Sequence, residues 1–319
     1  MFAPHHGRGA ATIHGPLPRR RTRRASAQVG AHFPPRTPRS ARLVTMMDPV
    51  DRAEMALSLG EIDPDTPSPA RIYDFWLGGS HNFAADREVG RRTAEAMPQL
   101  PVAARANRAF LGRVVHHLVA DLGVDQLLDL GSGVPTAGNV HEVARAANPD
   151  TRVVYVDVDP VAIAHARTLL EDVDGCEAIL ADLRNPGAVL DHPLLRTTID
   201  LGRPVAVMMF AVLHFIPDDG SPELIVRDFM DAVPDGSYLA ISHGVPDVHD
   251  PGAQQDAARS YAARTGIPFI ARTPEEVERL LGPLKPVPPG LISIDEWMPD
   301  PLTTPRDNPL AYGGIAQKG

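Results

Sequence analysis

The chain has 319 residues, 43% of them hydrophobic, which is enough for one large domain or two small ones with a substantial core. Its single cysteine, Cys176, excludes an intramolecular disulfide, so we expect a reducing, cytoplasmic setting. The longest apolar run, residues 205–213, is too short to span a bilayer and is typical of a buried strand, so we expect no membrane partner.

Basic residues are concentrated near the amino terminus. Residues 1–47 hold nine of the 31 arginines and lysines and no acid, so 22 basic residues accompany 40 acidic ones in the rest of the chain. The resulting net charge of −18 over residues 48–319 argues against nucleic acid as a partner of the folded part.

Residues 1–47 are rich in Pro, Arg, Gly and His without apolar periodicity, which predicts a disordered basic tail. The run "RRRTRR" is compatible with a polyanion-binding tail or a twin-arginine export signal, although no apolar segment follows it as export requires. We prefer a third interpretation, in which translation starts at Met46 or Met47.

Residues 48–122 form a predicted helical extension. The pattern over 69–97 is helical on both sides of a break at Gly78-Gly79, and apolar residues recur on one helix face over 107–122 until Gly123 ends the pattern. A separate domain is expected to follow over 123–319.

Strands and helices alternate from residue 124 onward, which predicts an α/β fold with a mostly parallel sheet and helices on both faces. Two late candidate strands suggest an antiparallel addition at the sheet edge. The seven expected strands are 125–130, 152–157, 176–180, 204–212, 236–243, 290–296 and 311–316, and the expected helices are 137–147, 160–171, 186–195, 221–232 and 273–284.

Acidic residues follow the first three strands, where ligands bind in open parallel sheets. Asp129 precedes Gly131 and Gly133, two glycines that allow close backbone approach at a helix N-terminus. Asp157 follows the second strand, where a carboxylate can accept hydrogen bonds from both hydroxyls of a ribose. Asp182 follows the third and can accept from an adenine amine. Turn or helix capping is the alternative role for Asp129 and Asp182.

The glycine turn favours S-adenosylmethionine over a dinucleotide. Pro135 and the later Gly138 break the G-x-G-x-x-G spacing that packs a helix against a pyrophosphate. S-adenosylmethionine has no phosphate, and its cationic sulfonium suits an acidic pocket. A nicotinamide-dependent oxidoreductase is disfavoured further because the two lysines, Lys285 and Lys318, offer no Tyr-x-x-x-Lys pair.

Five segments resemble the actinobacterial S-adenosyl methyltransferase family over about residues 65–317. They are "ARIYDFWLGGSHNFAADRE", "RANRAFLGRVV", "LLDLGSGVPT…NVHEVA", "VVYVDVDPVAIAHARTLL" and "VAVMMFAVLHFIPDD". The resemblance implies a three-layer, Rossmann-like class I methyltransferase fold with a seven-stranded sheet, and it makes Pro135 part of a family turn. The chain departs from the family at Trp76 and at Ser80-His81, where Leu and Lys-Asp are expected.

The resemblance also implies roles for the motif residues toward S-adenosyl-L-methionine. The turn after the first strand should surround the methionine moiety, the acid after the second should bind the ribose, and the segment after the third should bind the adenine. The expected cofactor residues of the sheet are Asp129, Gly131, Ser132, Gly133, Asp157, Val158, Asp182 and Leu183.

The helical extension has two alternative roles. In class I methyltransferases such extensions often fold over the cofactor as a lid, and Tyr73, Gly78 and Gly79 are expected to contact it there. Core packing of the aromatic residues is an equally good alternative. Arg105 and Arg108 suit the carboxylate of the cofactor, an acidic substrate or a solvated helix face.

His214 follows the fourth strand and is the candidate general base, with His243 as a weaker one. A buried structural histidine is the alternative for both. No metal-ligand spacing is visible, so no metal is expected. The sequence therefore predicts an S-adenosylmethionine-dependent methyltransferase acting on a small molecule, with a place in secondary metabolism as one setting. A non-catalytic cofactor-binding regulator or partner protein is the alternative.

Overall fold

The computed structural model describes residues 62–136, 138–299 and 309–319. The basic tail expected at 1–47, with the candidate start codons Met46 and Met47, lies outside the described residues. All described residues fall in one compact unit. In this part of the chain no helix is long and apolar enough to cross a membrane.

Among the described residues, three helices precede the sheet, and they confirm the helical pattern expected before residue 122. They are α1 (Pro69–Trp76), α2 (Ala84–Ala96) and α3 (Leu100–His116), and one π-helical turn, His117–Asp121, follows α3. Helix α1 ends at the predicted glycine break, because Gly78 has a φ of +83°, a left-handed conformation that glycine adopts without steric cost. The division into an extension at 48–122 and a domain at 123–319 stays a prediction.

A mixed sheet forms the centre of the described fold. Strands β1 to β5 run parallel to one another, and β8 pairs antiparallel with β5. The order is β3-β2-β1-β4-β5-β8-β6, with β7 also paired to β8. The strands are β1 (Gln126–Leu130), β2 (Arg152–Asp157), β3 (Cys176–Leu180), β4 (Ala206–Phe210), β5 (Tyr238–Gly244), β6 (Lys285–Pro286), β7 (Ile292–Ser293) and β8 (Ala311–Gln317).

The sheet confirms the mostly parallel α/β fold with an antiparallel edge, but the expected count of seven strands was wrong. The described residues form eight, because two short strands share the outer edge of β8. Strand β6 pairs Lys285 with Gln317, and β7 pairs Ile292 with Gly313. Pro288 and Pro289 lie between them and have no N–H to donate, which prevents one continuous edge strand.

The helices that follow β1 cover both faces of the sheet. The helix expected at 186–195 is two helices, because Pro193 interrupts the hydrogen bonding and the His192 side chain caps the second one. One helix was missed, although Asp250 caps its start and Gly266 ends it. The α-helices after β1 in the described residues are α4 (Val140–Ala147), α5 (Pro160–Leu170), α6 (Pro186–Leu190), α7 (Pro193–Thr198), α8 (Pro222–Asp231), α9 (Pro251–Thr265) and α10 (Pro274–Arg279).

Two apolar layers hold the helices on the sheet. Alternate residues of each strand enter opposite layers, so Leu128 and Val207 pack on one face while Leu127 and Ala206 pack on the other. Phe110 of α3 is fully buried in the second layer and makes an edge-to-face contact with Trp297. This packing fixes α3 across the sheet and brings its amino-terminal half to the carboxyl ends of the parallel strands.

Candidate active site

A cavity of about 350 Å3 lies at the carboxyl ends of β1 to β5, where ligands bind in open α/β sheets. The turns and segments after these strands line one side of it. Residues of α1, α3 and α9 line the other side. The fold therefore places the acids singled out in the sequence around one space and covers that space with helices.

The glycine turn after β1 needs both of its glycines. Gly131 has a φ of +72°, and a Cβ there would lie 2.3 Å from Cγ2 of Val212. Gly133 has a φ of +66°, but no atom lies within 4 Å of the place its Cβ would take. Gly131 thus permits close packing of the turn against the loop after β4. Gly133 leaves open space on the side of the cavity, which both residues line.

Asp129 is a buried carboxylate that the protein leaves without a partner. It lines the cavity, and no group of the described residues donates a hydrogen bond to it. Burial raises its pKa to about 7, with the Arg108 charge opposing that rise and the Asp157 charge adding to it. The neighbouring Ser132 Oγ is also buried without a hydrogen-bond partner. Both groups are therefore free to bind a polar or cationic part of a ligand.

Asp157 is held in place by two backbone N–H groups. Its Oδ2 accepts from Gly133 N at 2.7 Å, and its Oδ1 accepts from Asp159 N at 2.8 Å. Burial raises its pKa to about 6 although both hydrogen bonds act to lower it. Each carboxylate oxygen has two lone pairs, so Asp157 keeps acceptor capacity toward the cavity that it lines.

Asp182, Val158 and Leu183 also line the cavity. Val158 is 64% exposed, an apolar side chain that stands next to the carboxylate of Asp157. Both Asp182 oxygens accept from Arg184, Oδ1 at 3.0 Å and Oδ2 at 2.8 Å from Nε. Burial acts to raise the pKa of Asp182, but the Arg184 hydrogen bonds and charge outweigh it and lower the pKa.

In α1 and the loop that follows it, some of the residues expected to bind the cofactor line the cavity and others do not. Tyr73 lines it, and its hydroxyl donates to Ala104 O at 2.8 Å. Gly78 and Gly79 lie outside the cavity lining. A Cβ on Gly79 would lie 1.9 Å from Asp74 Oδ1, so this glycine makes room for the carboxylate that organises the loop. The expected contact of Gly78 and Gly79 with a cofactor has no support in this geometry.

The Asp74 carboxylate fixes the conformation of the loop between α1 and α2. Its Oδ2 accepts from His81 N at 2.9 Å and from Asn82 Nδ2 at 2.7 Å. His81 in turn stacks on His165 of α5, with ring centroids 3.6 Å apart. Asp74 and His81 thus fix the loop against α5, the helix that follows β2.

Of the two arginines of α3 singled out in the sequence, Arg108 lines the cavity and Arg105 does not.

His214 and His243 lie at the carboxyl ends of β4 and β5. His214 Nδ1 accepts from Gly244 N at 3.3 Å, so the proton of the neutral ring is on Nε2. Burial lowers its pKa well below the ordinary value, and the nearby His243 and Arg272 lower it further. His243 has both nitrogens engaged, with Nδ1 donating to Gly244 O and Nε2 accepting from Arg272.

Sequence reasoning missed several residues of this site. Asn107 donates to the Tyr73 hydroxyl and accepts from Ser242 Oγ at 2.6 Å, which links α1, α3 and β5. Phe215, Tyr261 and Phe269 line the far end of the cavity. Tyr261 belongs to the helix that was missed, and its capping signals, Asp250 before Pro251 and Gly266, were present in the sequence. Among the described residues no cluster of three or more His, Cys, Asp or Glu side chains suits a metal ion.

The strand order, with five parallel strands and β8 antiparallel beside β5, and the cavity at the carboxyl ends of the parallel strands match a class I methyltransferase fold. A model of the S-adenosyl methyltransferase family matches residues 56–319, and the chain belongs to that family. It is an S-adenosyl-L-methionine-dependent methyltransferase. A search of curated proteins found no match.

Two solved actinobacterial structures are similar over nearly the whole described fold. A Thermobifida fusca protein assigned as a methyltransferase is 40% identical, with a TM-score of 0.75 over 80% of this chain and 96% of that one. A DUF574 family protein from Streptomyces avermitilis is 38% identical, with a TM-score of 0.77 over 81% of this chain and 99% of that one.

The residues of the cavity fit the cofactor. A buried carboxylate without a partner, Asp129, matches an ammonium group, and the space beside Gly133 admits a ligand against the backbone. Asp157 keeps acceptor capacity for ribose hydroxyls, and Val158 offers apolar surface for a base. These features suit a molecule with a zwitterionic amino acid at one end and an adenosine at the other.

Proposed function

We propose that this protein methylates a small-molecule acceptor in the cavity at the carboxyl ends of β1 to β5. The observation that carries the proposal is the unpartnered Asp129 carboxylate in a cavity of about 350 Å3 that α1, α3 and α9 cover. This volume is at the lower end of the range for small-molecule sites. Coverage by three helices favours a small acceptor over a polymer.

Each wall of the cavity has a distinct part in holding the cofactor. Asp129 would pair with its ammonium group, with the Ser132 hydroxyl and the glycine turn beside it. Asp157 would accept hydrogen bonds from the ribose hydroxyls, and Val158 and Leu183 would contact the adenine. Asp182 would accept from the adenine amine in competition with Arg184. When bound, S-adenosylmethionine supplies a methyl group already activated by a positively charged sulfur.

The remaining residues position the acceptor and exclude water. Tyr73, Asn107 and Ser242 are joined by hydrogen bonds and fix the covering helices over the sheet. Holding two reactants in line within a closed space supplies much of the rate enhancement of a displacement. We assign His214 as a hydrogen-bond donor through Nε2 in place of the general base expected from the sequence, because Gly244 N occupies Nδ1.

Calorimetric titration of the full chain with S-adenosylmethionine, S-adenosylhomocysteine and NADH tests the cofactor site. Asp157→Ala should weaken binding of both adenosyl ligands by about 1.5–3 kcal/mol, roughly 10- to 150-fold, because charged hydrogen bonds to two hydroxyls are lost. Asp191→Ala, which removes an exposed acid paired with Arg196, is the matched control and should not change affinity.

A second comparison avoids any effect of the substitution on folding. Adenosine should bind the unaltered chain more tightly than 2′,3′-dideoxyadenosine, which lacks both hydroxyls. Equal affinity for the two nucleosides would show that Asp157 does not bind the ribose hydroxyls. Failure of the folded chain to bind either adenosyl ligand would overturn the proposed function as a whole.

A further inference from the structure

The cavity has two chemically different halves. Its charged lining residues belong to α3, the β1 turn and the segments after β2 and β3. Within the described chain, the lining residues that follow β4 and β5 and those of α9 carry no acidic or basic side chain other than histidine. The charged set is Arg108, Asp129, Asp157, Asp159, Asp182 and Arg184.

The half beyond β4 and β5 is an aromatic chamber. Phe215 stacks on Tyr261 with ring centroids 6.2 Å apart and an interplanar angle of 17°, and it meets Phe269 edge-on. Trp76 and Phe215 pack against a small apolar cluster that contains Tyr261. This packing connects the covering helix α1 to this end of the cavity. We use the name aromatic chamber for Trp76, Phe215, Tyr261, Ile267, Phe269 and Leu310, all of which line the cavity.

Arg272 is a buried cation that contacts the segment after β4 and the end of β5. It lies outside the cavity lining. Its guanidinium donates to the carbonyls of Leu213 and Ile216, to Asp218 Oδ1 at 2.7 Å and to His243 Nε2 at 3.0 Å. These contacts engage the Arg272 guanidinium, so the described residues give the chamber no cation that could pair with an anionic acceptor.

His214 gives the chamber one polar contact without a charge. Its ring lies 4.4 Å from that of Phe215 and 4.6 Å from that of Phe269, measured between centroids. No described residue accepts a hydrogen bond from its Nε2–H. This N–H can therefore donate to an oxygen or nitrogen of a bound molecule.

We propose that the methyl acceptor is an uncharged, planar aromatic compound that binds in the aromatic chamber with a polar group at His214. The inference rests on the proposed function, because it uses the same cavity. An anionic acceptor would lose its hydration without gaining a counter-charge from the described residues there. A protonated amine has no lone pair with which to attack the methyl group. A flat ring gains offset or edge-to-face contacts with the surrounding aromatic side chains, which a saturated ring of the same size does not.

Three compounds with the same two-ring carbon skeleton test the proposal on the full chain saturated with S-adenosylhomocysteine. They are 2-naphthol, which is neutral and aromatic, 2-naphthoate, which is anionic, and decahydro-2-naphthol, which is neutral and saturated. Calorimetry should show that 2-naphthol binds most tightly. We expect 2-naphthoate to be weaker by at least about tenfold and the saturated alcohol by roughly 2- to 12-fold.

Two substitutions test whether 2-naphthol binds in the aromatic chamber. Phe215→Leu and Phe269→Leu keep an apolar side chain but remove the ring, and each should weaken 2-naphthol binding by roughly 2- to 12-fold. Both should retain S-adenosylhomocysteine binding, which shows that they are folded. Phe75→Leu removes a phenylalanine outside the cavity lining and should change neither affinity.

The outcomes separate the two proposals. If S-adenosylhomocysteine binds but 2-naphthol does not, or binds no better than 2-naphthoate or the saturated alcohol, the acceptor class is wrong and the proposed function stands. An unchanged 2-naphthol affinity in both leucine variants would also overturn the chamber assignment. If S-adenosylhomocysteine itself does not bind, the proposed function fails and the acceptor class fails with it.

Discussion

Arg71 of α1 and Asp159, the residue that caps α5, form a buried ion pair in which Nη1 and Oδ2 lie 2.9 Å apart. Arg71 also donates from Nε to Asp86 at 2.9 Å and from Nη2 to Thr66 O. Asp159 donates its backbone N–H to Asp157, the candidate ribose ligand. One guanidinium thus connects the covering helices to the carboxylate that we assign to the cofactor.

Arg71→Met should destabilise the protein strongly. It leaves Asp86 and Asp159 without the cation that neutralises them in the interior, and removal of one partner of a buried pair costs about 3–5 kcal/mol. We also expect weaker S-adenosylhomocysteine binding, because the position of Asp159 fixes Asp157. Urea unfolding and calorimetric titration measure the two effects.

Two further variants make this prediction specific. Arg92→Met removes an exposed arginine paired with Glu88 on α2, and it should leave the free energy of unfolding nearly unchanged. Arg71→Lys keeps the charge but cannot make all three contacts, so its stability should lie between those of the wild type and Arg71→Met. A stability of Arg71→Met close to that of Arg92→Met would contradict the assigned role.

The sequence could predict the parallel strands and the antiparallel β8, but not the bounds and number of the short strands at its outer edge. Strands β1 to β5 are almost wholly buried, so their residues form apolar runs bounded by turn signals. Strands β6 and β7 have two residues each, and their pairing with β8 decides their conformation. No local pattern distinguishes such short strands from loop, and prolines lie within and between them.

Alanine substitutions at two glycines, Gly79 of the α1–α2 loop and Gly112 of α3, should have opposite effects on stability. Gly79→Ala should destabilise the protein by about 1–3 kcal/mol, because its Cβ would overlap the Asp74 carboxylate that holds the loop. Gly112→Ala lies within α3 with no atom near its Cβ, and it should stabilise the protein by about 0.5–1 kcal/mol. Thermal or urea unfolding of the two variants gives the comparison, and a destabilised Gly112→Ala together with a neutral Gly79→Ala would refute it.

Ser242→Ala tests the link between the sheet and α3. The Ser242 hydroxyl donates to Asn107 Oδ1 at 2.6 Å and accepts from Ala211 N at 3.0 Å, and both Ser242 and Asn107 are buried. Loss of these bonds leaves a buried acceptor unsatisfied, which costs about 1–3 kcal/mol. Urea unfolding should show this loss. The Ser221 side chain makes no capping hydrogen bond, so Ser221→Ala is the control and should not lower the free energy of unfolding.

The convergence of the acids on one cavity could be predicted from the sequence because they lie at or just after the ends of strands. Asp129 and Asp157 are the last polar residues of apolar runs, and the topology of a parallel sheet brings such positions to one edge. Arg71 offered no such signal, since its acidic partners lie 15 and 88 residues away. The chamber was equally hidden, because aromatic residues from separate segments meet only in the folded chain.

Asp129 should make cofactor binding depend on pH. Burial raises its pKa in the ligand-free protein to about 7 from an ordinary value of 3.8, so at about pH 6 the folded protein holds a proton that the unfolded chain has lost. Folded Asp129 therefore contributes less stability as pH rises from about 4 to about 7. An ammonium group requires the ionised carboxylate, so binding at about pH 6 should release a proton and affinity should rise toward about pH 8.

Calorimetry in buffers of different ionisation enthalpy measures this proton release. Asp129→Asn should reduce the release at about pH 6 and weaken S-adenosylhomocysteine binding at about pH 8. The same variant should raise the free energy of unfolding of the ligand-free protein at about pH 8, by on the order of 2 kcal/mol, because it removes an unpaired buried charge. Asp157, whose pKa is raised to about 6, accounts for a smaller residual release. Proton release and stability that are both unchanged in Asp129→Asn would show that this carboxylate is not the buried, unpaired group that the structure describes.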